Sequence, residues 1–303
     1  MTSTIKADVL TAQTTNGTIS VAGAGTGGTT IQGQAYPTAG GLWTGRNVVI
    51  NGSMAVSQRS VSETGKGASG GYFTLDRWDI STASSAGRFT MTQTADGPSG
   101  IANCLKLACT TADTSIDAAE TLILRQKIED QNCVRFKKGT SDAEQISVSF
   151  YAKQNESRVI VCALYDSQNN RFIGNTVTVG TSWARHEITF AGDTTGAFAD
   201  DNGIGFELWF FLHAGSNYTS GTLATSWASY TAANTAVGIG SFYASTSNTF
   251  FLTGVQVEAG VPTPFEHESY AETLQKCQRY FTKIAPKVNS VTVRGYNASG
   301  AVI

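Results

Sequence analysis

The sequence is poor in charge. Only 15% of its 303 residues are Asp, Glu, Lys or Arg, and the formal net charge is −2. So balanced a chain presents no basic face to a phosphate backbone, and a nucleic-acid partner is not expected. Long apolar runs are missing too. None approaches the roughly 20 residues of a membrane span, and no charged-then-apolar leader opens the chain, so membrane insertion is not expected either. Histidine is scarce, with 3 residues, and the 5 cysteines fall at Cys104, Cys109, Cys133, Cys162 and Cys277 without paired ligand spacing. An odd set of this kind reads as free thiols made in a reducing cytosol. No nucleophile-elbow G-x-S-x-G is present. The sequence therefore names no catalytic residue, no metal ligand and no cofactor. The adjacent pair Asp200 and Asp201 reads as a solvated turn, with calcium as the lesser alternative.

What is plentiful is glycine, 32 residues against 5 prolines, together with serine and threonine. Short strands separated by Gly/Ser/Asn turns recur at 88–92, 104–109, 121–128, 146–152, 158–165, 172–179, 183–190, 204–212, 238–243 and 253–258. Residues 47–52 and 71–80 are strand-like as well. This is the pattern of a β-sandwich or jelly roll. In 146–150, Ile146, Val148 and Phe150 alternate with serines, which predicts a strand wet on one face. Residues 204–212 are apolar on both faces around Glu207 and should lie centrally. Trp183 and Trp209 read as core, and the pair Asp76 and Arg77 beside Trp78 as a structural salt bridge.

Residues 1–43 differ from the rest, because Lys6 and Asp8 are their only charges. Such a segment cannot build a core of its own. Its β-type apolar residues Ile5, Val9, Leu10, Ile19 and Val21 predict an extended arm that docks on something else. Gly23, Gly25 and Gly28 satisfy G-x-G-x-x-G after a strand-like run, but no helix follows and no acidic residue lies about 20 positions on, so dinucleotide binding is set aside.

Near the other end, Gly260, Pro262 and Pro264 break a strand, and Ser269 with Glu272 forms a capping-box signature for a short helix. Tyr270, Leu274, Cys277 and Phe281 then draw one narrow apolar seam, which predicts an oligomerisation contact. Val291 and Val293 suggest a further strand. The expected organisation is an arm at 1–43, a sandwich at 44–268, an oligomerisation helix at 269–284 and a β tail at 285–303.

Four phrases carry a resemblance: NVVINGSMAVSQR at 47–59, GYFTLDRW at 71–78, ISVSFYAK at 146–153, and TGVQVEAG…TPFEHESYAETLQKCQRYF at 253–281. In this order they resemble a domain of bacteriophage tail-fibre and other virion structural proteins, over roughly 46–281. The resemblance implies an all-β jelly-roll sandwich, similar to carbohydrate-binding modules, with an extended N-terminal arm and one short C-terminal helix. It implies a virion protein, assembled in the bacterial host cytoplasm as a homotrimer beside other virion proteins of head or tail. Head fibre, tail fibre and decoration protein all stay open. Host cell-surface polysaccharide is a further expected partner, for which the loop residues Tyr218, Trp227 and Tyr230 with His213 would form an aromatic and polar platform. The other readings are a dedicated glycan-attachment fibre and a tailspike-like depolymerase.

Overall fold

The computed structural model describes residues 45–283 and, in the N-terminal segment, two short antiparallel strands, β1 (Thr30–Ile31) and β2 (Gln34–Ala35). Backbone contacts divide the chain into two units, Met1–Trp43 and Thr44–Ile303. The expected docking residues Ile5, Val9, Leu10, Ile19 and Val21, and the expected tail at 285–303, lie outside the described residues.

The second unit is built from β3 (Ser62–Lys66), β4 (Asp79–Ala83), β5 (Arg88–Thr94), β6 (Cys104–Thr111), β7 (Thr121–Glu129) and β8 (Ile146–Gln154). It continues with β9 (Arg158–Asp166), β10 (Arg171–Val179), β11 (Ala184–Phe190), β12 (Ile204–Ala214), β13 (Ala228–Ser229) and β14 (Thr249–Ala259). Among the described residues two helices complete it, α1 (Ser216–Thr219) and α2 (Tyr270–Gln278). The strands form two six-stranded antiparallel sheets, β13-β10-β9-β12-β7-β4 and β11-β8-β14-β6-β5-β3. Setting aside the flanking strands, β6-β14-β8-β11 faces β7-β12-β9-β10. The chain crosses between sheets at every step from β6 to β14 except the β9–β10 hairpin. That strand order is a jelly roll.

The inner faces follow from alternation. Leu105 and Leu107 of β6, Val148 and Phe150 of β8, and Phe206, Leu208 and Phe210 of β12 are all buried in one core. Phe150 meets Phe210 edge-on, with ring centroids 5.0 Å apart. The other face of β12 carries Trp209 and Phe211, which join Ile123, Val161 and Phe172 in a second apolar cluster outside the sandwich. This explains why β12 is apolar on both sides: it lies between β7 and β9, and the loop after it folds back over its outer face.

In β14 the inward positions change parity. Phe250 and Leu252 point inward, then Val255 and Val257 do, and the pairing with β8 shifts between Thr253 and Gln256. The extra residue is a bulge at Gly254, whose φ of 58° suits glycine. Past it, β6 has ended, and residues 47–52 take its place through Val48 N–H to Val257 O and Val255 N–H to Gly52 O, both 3.0 Å. These residues were expected as a strand. They form an irregular run instead, because Asn47 and Asn51 turn their amides onto backbone: Asn47 bonds Val255 O and Val257 N–H, and Asn51 bonds both polar groups of Val56.

Three other expectations are corrected. Ser147 and Ser149 are each only 1% exposed, because the corner at 260–268 covers them; the outer face of β8 is polar but dry there. Asp76 and Arg77 do not pair with each other. Asp76 takes Arg59 at 3.0 Å, while Arg77 donates to Lys127 O and lies 3.5 Å over the ring of Tyr280. Residues 238–243 form no strand and end in a 3-10 turn at Phe242–Ala244.

The helix has its capping box, with Ser269 and Glu272 bonding reciprocally, but its packing differs from the expected seam. Thr273 and Cys277 are buried against the chain's own sandwich, and Phe281 lies under Arg59 at 3.7 Å. Gln58 donates to Phe281 O, and Arg279 pairs with Glu129. Of the expected oligomerisation residues, Cys277 and Phe281 are thus spent within the chain, while Leu274 is half-buried and Tyr270 is exposed. The reason is local: two arginines of the sandwich offer planar cations to Tyr280 and Phe281, which neither a narrow seam nor a copy of it would supply.

Two outcomes follow. A Cβ at Gly254 would sit 2.7 Å from Ile101 Cδ1 and 2.8 Å from Tyr151 Cδ2, besides forcing an L residue to positive φ. Gly254→Ala should therefore cost about 1–3 kcal/mol in urea unfolding; an unchanged midpoint would remove the bulge from its role. All five cysteines are free and buried, and burial pushes the thiols of Cys133 and Cys277 up to about 12. A thiol reagent at pH 8 should react with essentially none of them in the native protein and with all five in denaturant.

Candidate functional site

The expected platform at 213–230 is largely mortar. His213, at the end of β12, has no exposed surface. Its Nδ1 lies 2.8 Å from Ser241 Oγ and its Nε2 2.8 Å from Glu120 Oε2. With Nε2–H donating to the carboxylate, Nδ1 accepts from the serine hydroxyl. That order of groups is the one a serine nucleophile needs, but Ser241 Oγ also accepts from Tyr243 N–H, capping the 3-10 turn. The three groups tie β12 to the chain before β7 and to the turn after the long loop. His213 is therefore corrected from ligand contact to buried linker.

Trp227 is also committed. Its ring stacks on Phe206 with centroids 5.7 Å apart, and its Nε1–H donates to Ala191 O at 2.7 Å. Tyr218 and Tyr230 do come together, over the second apolar cluster. Tyr230 packs 5.1 Å from Tyr165 and 6.3 Å from Trp209, and burial pushes its hydroxyl up to about 12. Tyr165, Tyr218 and Tyr230 stay half-buried and keep part of their surface open. The structure thus groups two of the four residues, adds Tyr165, and separates Trp227, which packs against the main core.

A cavity of about 380 Å³ lies beside the loop after β11, lined among others by Asp130, Lys137, Lys138, Phe198 and Asp200. Behind it sits a buried ion cluster. Lys138 Nζ is 2.6 Å from Asp166 and 3.3 Å from Asp193, and donates to the carbonyls of Thr195 and Gly196. Arg171 takes both oxygens of Asp193, at 2.6 and 2.8 Å. Every donor of the lysine is used, so the cluster holds the 193–203 loop rather than presenting a charge. Asp201 spends a carboxylate oxygen on Gly203 N–H. Among the described residues no group of three or more His, Cys, Asp or Glu is placed to hold a metal.

One surface was missed from the sequence. Trp183 was expected in the core; it is half-exposed, immediately before β11. Beside it on the outer face of the second sheet stand Lys153 of β8, Phe251 of β14 and Lys106 of β6, in register. Lys153 Nζ lies 5.0 Å from the Trp183 ring and 4.7 Å from that of Phe251, and Lys106 Nζ lies 5.4 Å from Phe251. Parity was the available signal. Ile188 and Phe190 are buried, so Trp183, Arg185 and Glu187 share the outward face.

No family model matches the chain, and no curated protein matches it. Among solved structures it is similar to the enzymatically active domain of tailspike protein 4 of bacteriophage CBA120, at 13% identity and a TM-score of 0.36. That match covers 71% of this chain and 21% of the tailspike, so the chain spans about a fifth of it. It is also similar to the module TmCBM61 in complex with β-1,4-galactotriose, at 11% identity and a TM-score of 0.35, covering 71% of this chain and 99% of the module. The family 11 carbohydrate-binding module of a cellulosomal cellulase of Clostridium thermocellum is 11% identical, with a TM-score of 0.33, covering 64% of this chain and 92% of the module.

His213 supports a buried carboxylate, and that can be measured. Glu120 is 2% exposed. Removing the imidazole by His213→Ala leaves Glu120 Oε2 without its partner, while Oε1 keeps the N–H of Asp117, which should cost about 2–4 kcal/mol in urea unfolding. A variant as stable as the parent would mean that water replaces the ring without loss.

Proposed function

We propose that this chain is a non-enzymatic structural protein of a bacteriophage virion, a fibre or decoration subunit that docks through residues 1–43 and holds its jelly roll outward. One observation carries the reading. Three of the four resembling phrases, distant in sequence, meet in one knot at a single pole of the sandwich. Trp78 Nε1–H donates to Asn51 O, Asp76 binds Arg59 and Gln58, and Gln58 reaches Phe281 O. Asn47 N–H donates to Glu266 at 2.9 Å, and Gly45 N–H to the same carboxylate. The residues that carry the resemblance therefore do architectural work. They clamp the place where the chain enters the sandwich beside the place where it leaves.

Both connections sit at this one pole. The opposite ends of the strands are left free to face away from whatever holds the termini, which is the geometry of display. The trimer belongs to the reading through the resemblance alone, and with Cys277 and Phe281 engaged on their own sandwich its contacts would have to come from other surfaces. Localisation to the virion and contact with host polysaccharide are part of the same proposal.

Deletion of residues 1–43 tests it. The truncated protein should stay folded, with an unchanged thermal midpoint, and should no longer enter particles when supplied in place of the full chain. Incorporation at the normal level would overturn the docking role of the arm.

A further inference from the structure

The outer faces of the two sheets are treated differently by the chain. The first carries the second apolar cluster and is roofed by the loop between β12 and β14. The second is covered at one end by the corner at 260–268, where Gln256 and Glu258 bond Thr263. Its other end carries the stripe of rings and lysines, bordered by the β5–β6 loop through Asp96, 2.9 Å from Lys153.

That stripe is one cross-strand row. Pairing links Lys153 to Phe251, Phe251 to Lys106, Lys106 to Thr92, and Thr92 to Ser62, while Trp183 flanks Lys153 at the β11 edge. Six strands at their usual spacing make the row about 24 Å long. The end towards β3 is lined with hydroxyls: Ser62 and Thr92 lie 3.2 Å apart, and Thr90 donates to Thr64 at 2.9 Å in the row beside it. The two lysines stand on β8 and β6 on either side of Phe251, strands about 10 Å apart, with both ammonium groups leaning on that ring. Each is held by a ring rather than buried under a carboxylate. Lys106 has no carboxylate partner among the described residues, and the one partner of Lys153, Asp96, is 48% exposed. In a chain of net charge −2, this is a fixed positive stripe edged by donors and acceptors.

We propose that the row Trp183–Lys153–Phe251–Lys106, with the hydroxyls of Thr92 and Ser62, binds an acidic polysaccharide. The proposal rests on the display reading and gives it a ligand class. Two cations a disaccharide's reach apart match carboxylates that recur along a polymer. The aromatic rings hold the ammonium groups in place before binding, which lowers the ordering cost. Trp183, at the edge, keeps an apolar surface for sugar C–H groups. On β8 and β14 the row lies at the strand ends away from the corner at 260–268, eight residues along β14 from Ala259, about 25 Å.

The test uses the full chain with hyaluronate, which carries a carboxylate on every second sugar, and with dextran and inorganic polyphosphate as controls, at low and moderate salt. Expected is binding to hyaluronate that weakens with salt, with no binding to dextran and weaker binding to polyphosphate. Lys106→Met and Lys153→Met keep the apolar stem, and each should weaken hyaluronate binding about tenfold without lowering the thermal midpoint. Trp183→Ala should weaken it similarly. Failure of the parent protein to bind hyaluronate would overturn the proposal, as would polyphosphate binding equal to it. Binding that both lysine variants retain in full would also overturn it. None of these results touches particle incorporation, so the virion reading stands or falls separately.

Discussion

The bulge at Gly254 is the constraint on which the rest of this sandwich depends. Before it, Phe250 and Leu252 of β14 fill the core and Phe251 faces out; after it, Val255 and Val257 fill the core and Gln256 and Glu258 face out. A strand without the extra residue would have to turn either the two valines or the two earlier apolar residues to the outside. The change of parity also coincides with a change of neighbour. Upstream, β14 pairs with β6; downstream, it is bonded by residues 47–52. One glycine thus separates an open half of the sheet, where aromatic and lysine side chains stand in a row, from a closed half, where buried polar groups join the chain's entry and exit.

The closed half shows how polar residues can make a core. Gln256 Nε2 donates to Glu258 at 2.7 Å and to Thr263 Oγ1 at 3.1 Å, and Glu258 in turn receives Thr263 N–H and Oγ1–H. Gln126 of β7 and Ile50 of the entry run exchange two bonds across the sandwich. A buried polar group without a partner costs about twice what a made hydrogen bond contributes. Satisfied in this way, the groups define one arrangement of corner, entry run and helix, whereas apolar side chains of similar size would tolerate several. Directional bonding is what fixes where the chain ends emerge.

Much of the fold was legible because its signal is alternation. Strands from β5 to β12 follow from the spacing of Leu, Val, Ile and Phe, and the burial of β12 on both sides follows from its unbroken apolar run. The misreadings share a cause. Val48, Val49 and Ile50 look like a strand, but the flanking asparagines satisfy backbone groups that a regular ladder would use. The serines of β8 look solvated, but another part of the chain covers them. The helix announced itself through Ser269 and Glu272, which act locally, while the face it buries was decided by Arg59 and Arg77, about two hundred residues away in sequence. His213 ends β12 and is fully buried, and Trp227 of the following polar loop is half-buried, because hydrogen-bond partners at Glu120, Ser241 and Ala191 hold them there. Burial of a polar or amphipathic side chain depends on partners that spacing cannot reveal.

The same distinction bears on where a ligand surface can be sought. A side chain already holding two partners, such as His213, gains nothing from a third and loses its present bonds if it moves. A side chain held on one side only, such as Lys106 over Phe251, is positioned without being satisfied. Its remaining donors face water, and exchanging that water for a fixed anion costs little reorganisation. The tyrosines over the first sheet lie between these cases, since their rings are committed to the loop and only their edges are open. Within this jelly roll, the row on the second sheet is where ring-held cations and open surface coincide, and on β8 and β14 it lies at the strand ends away from the corner at 260–268.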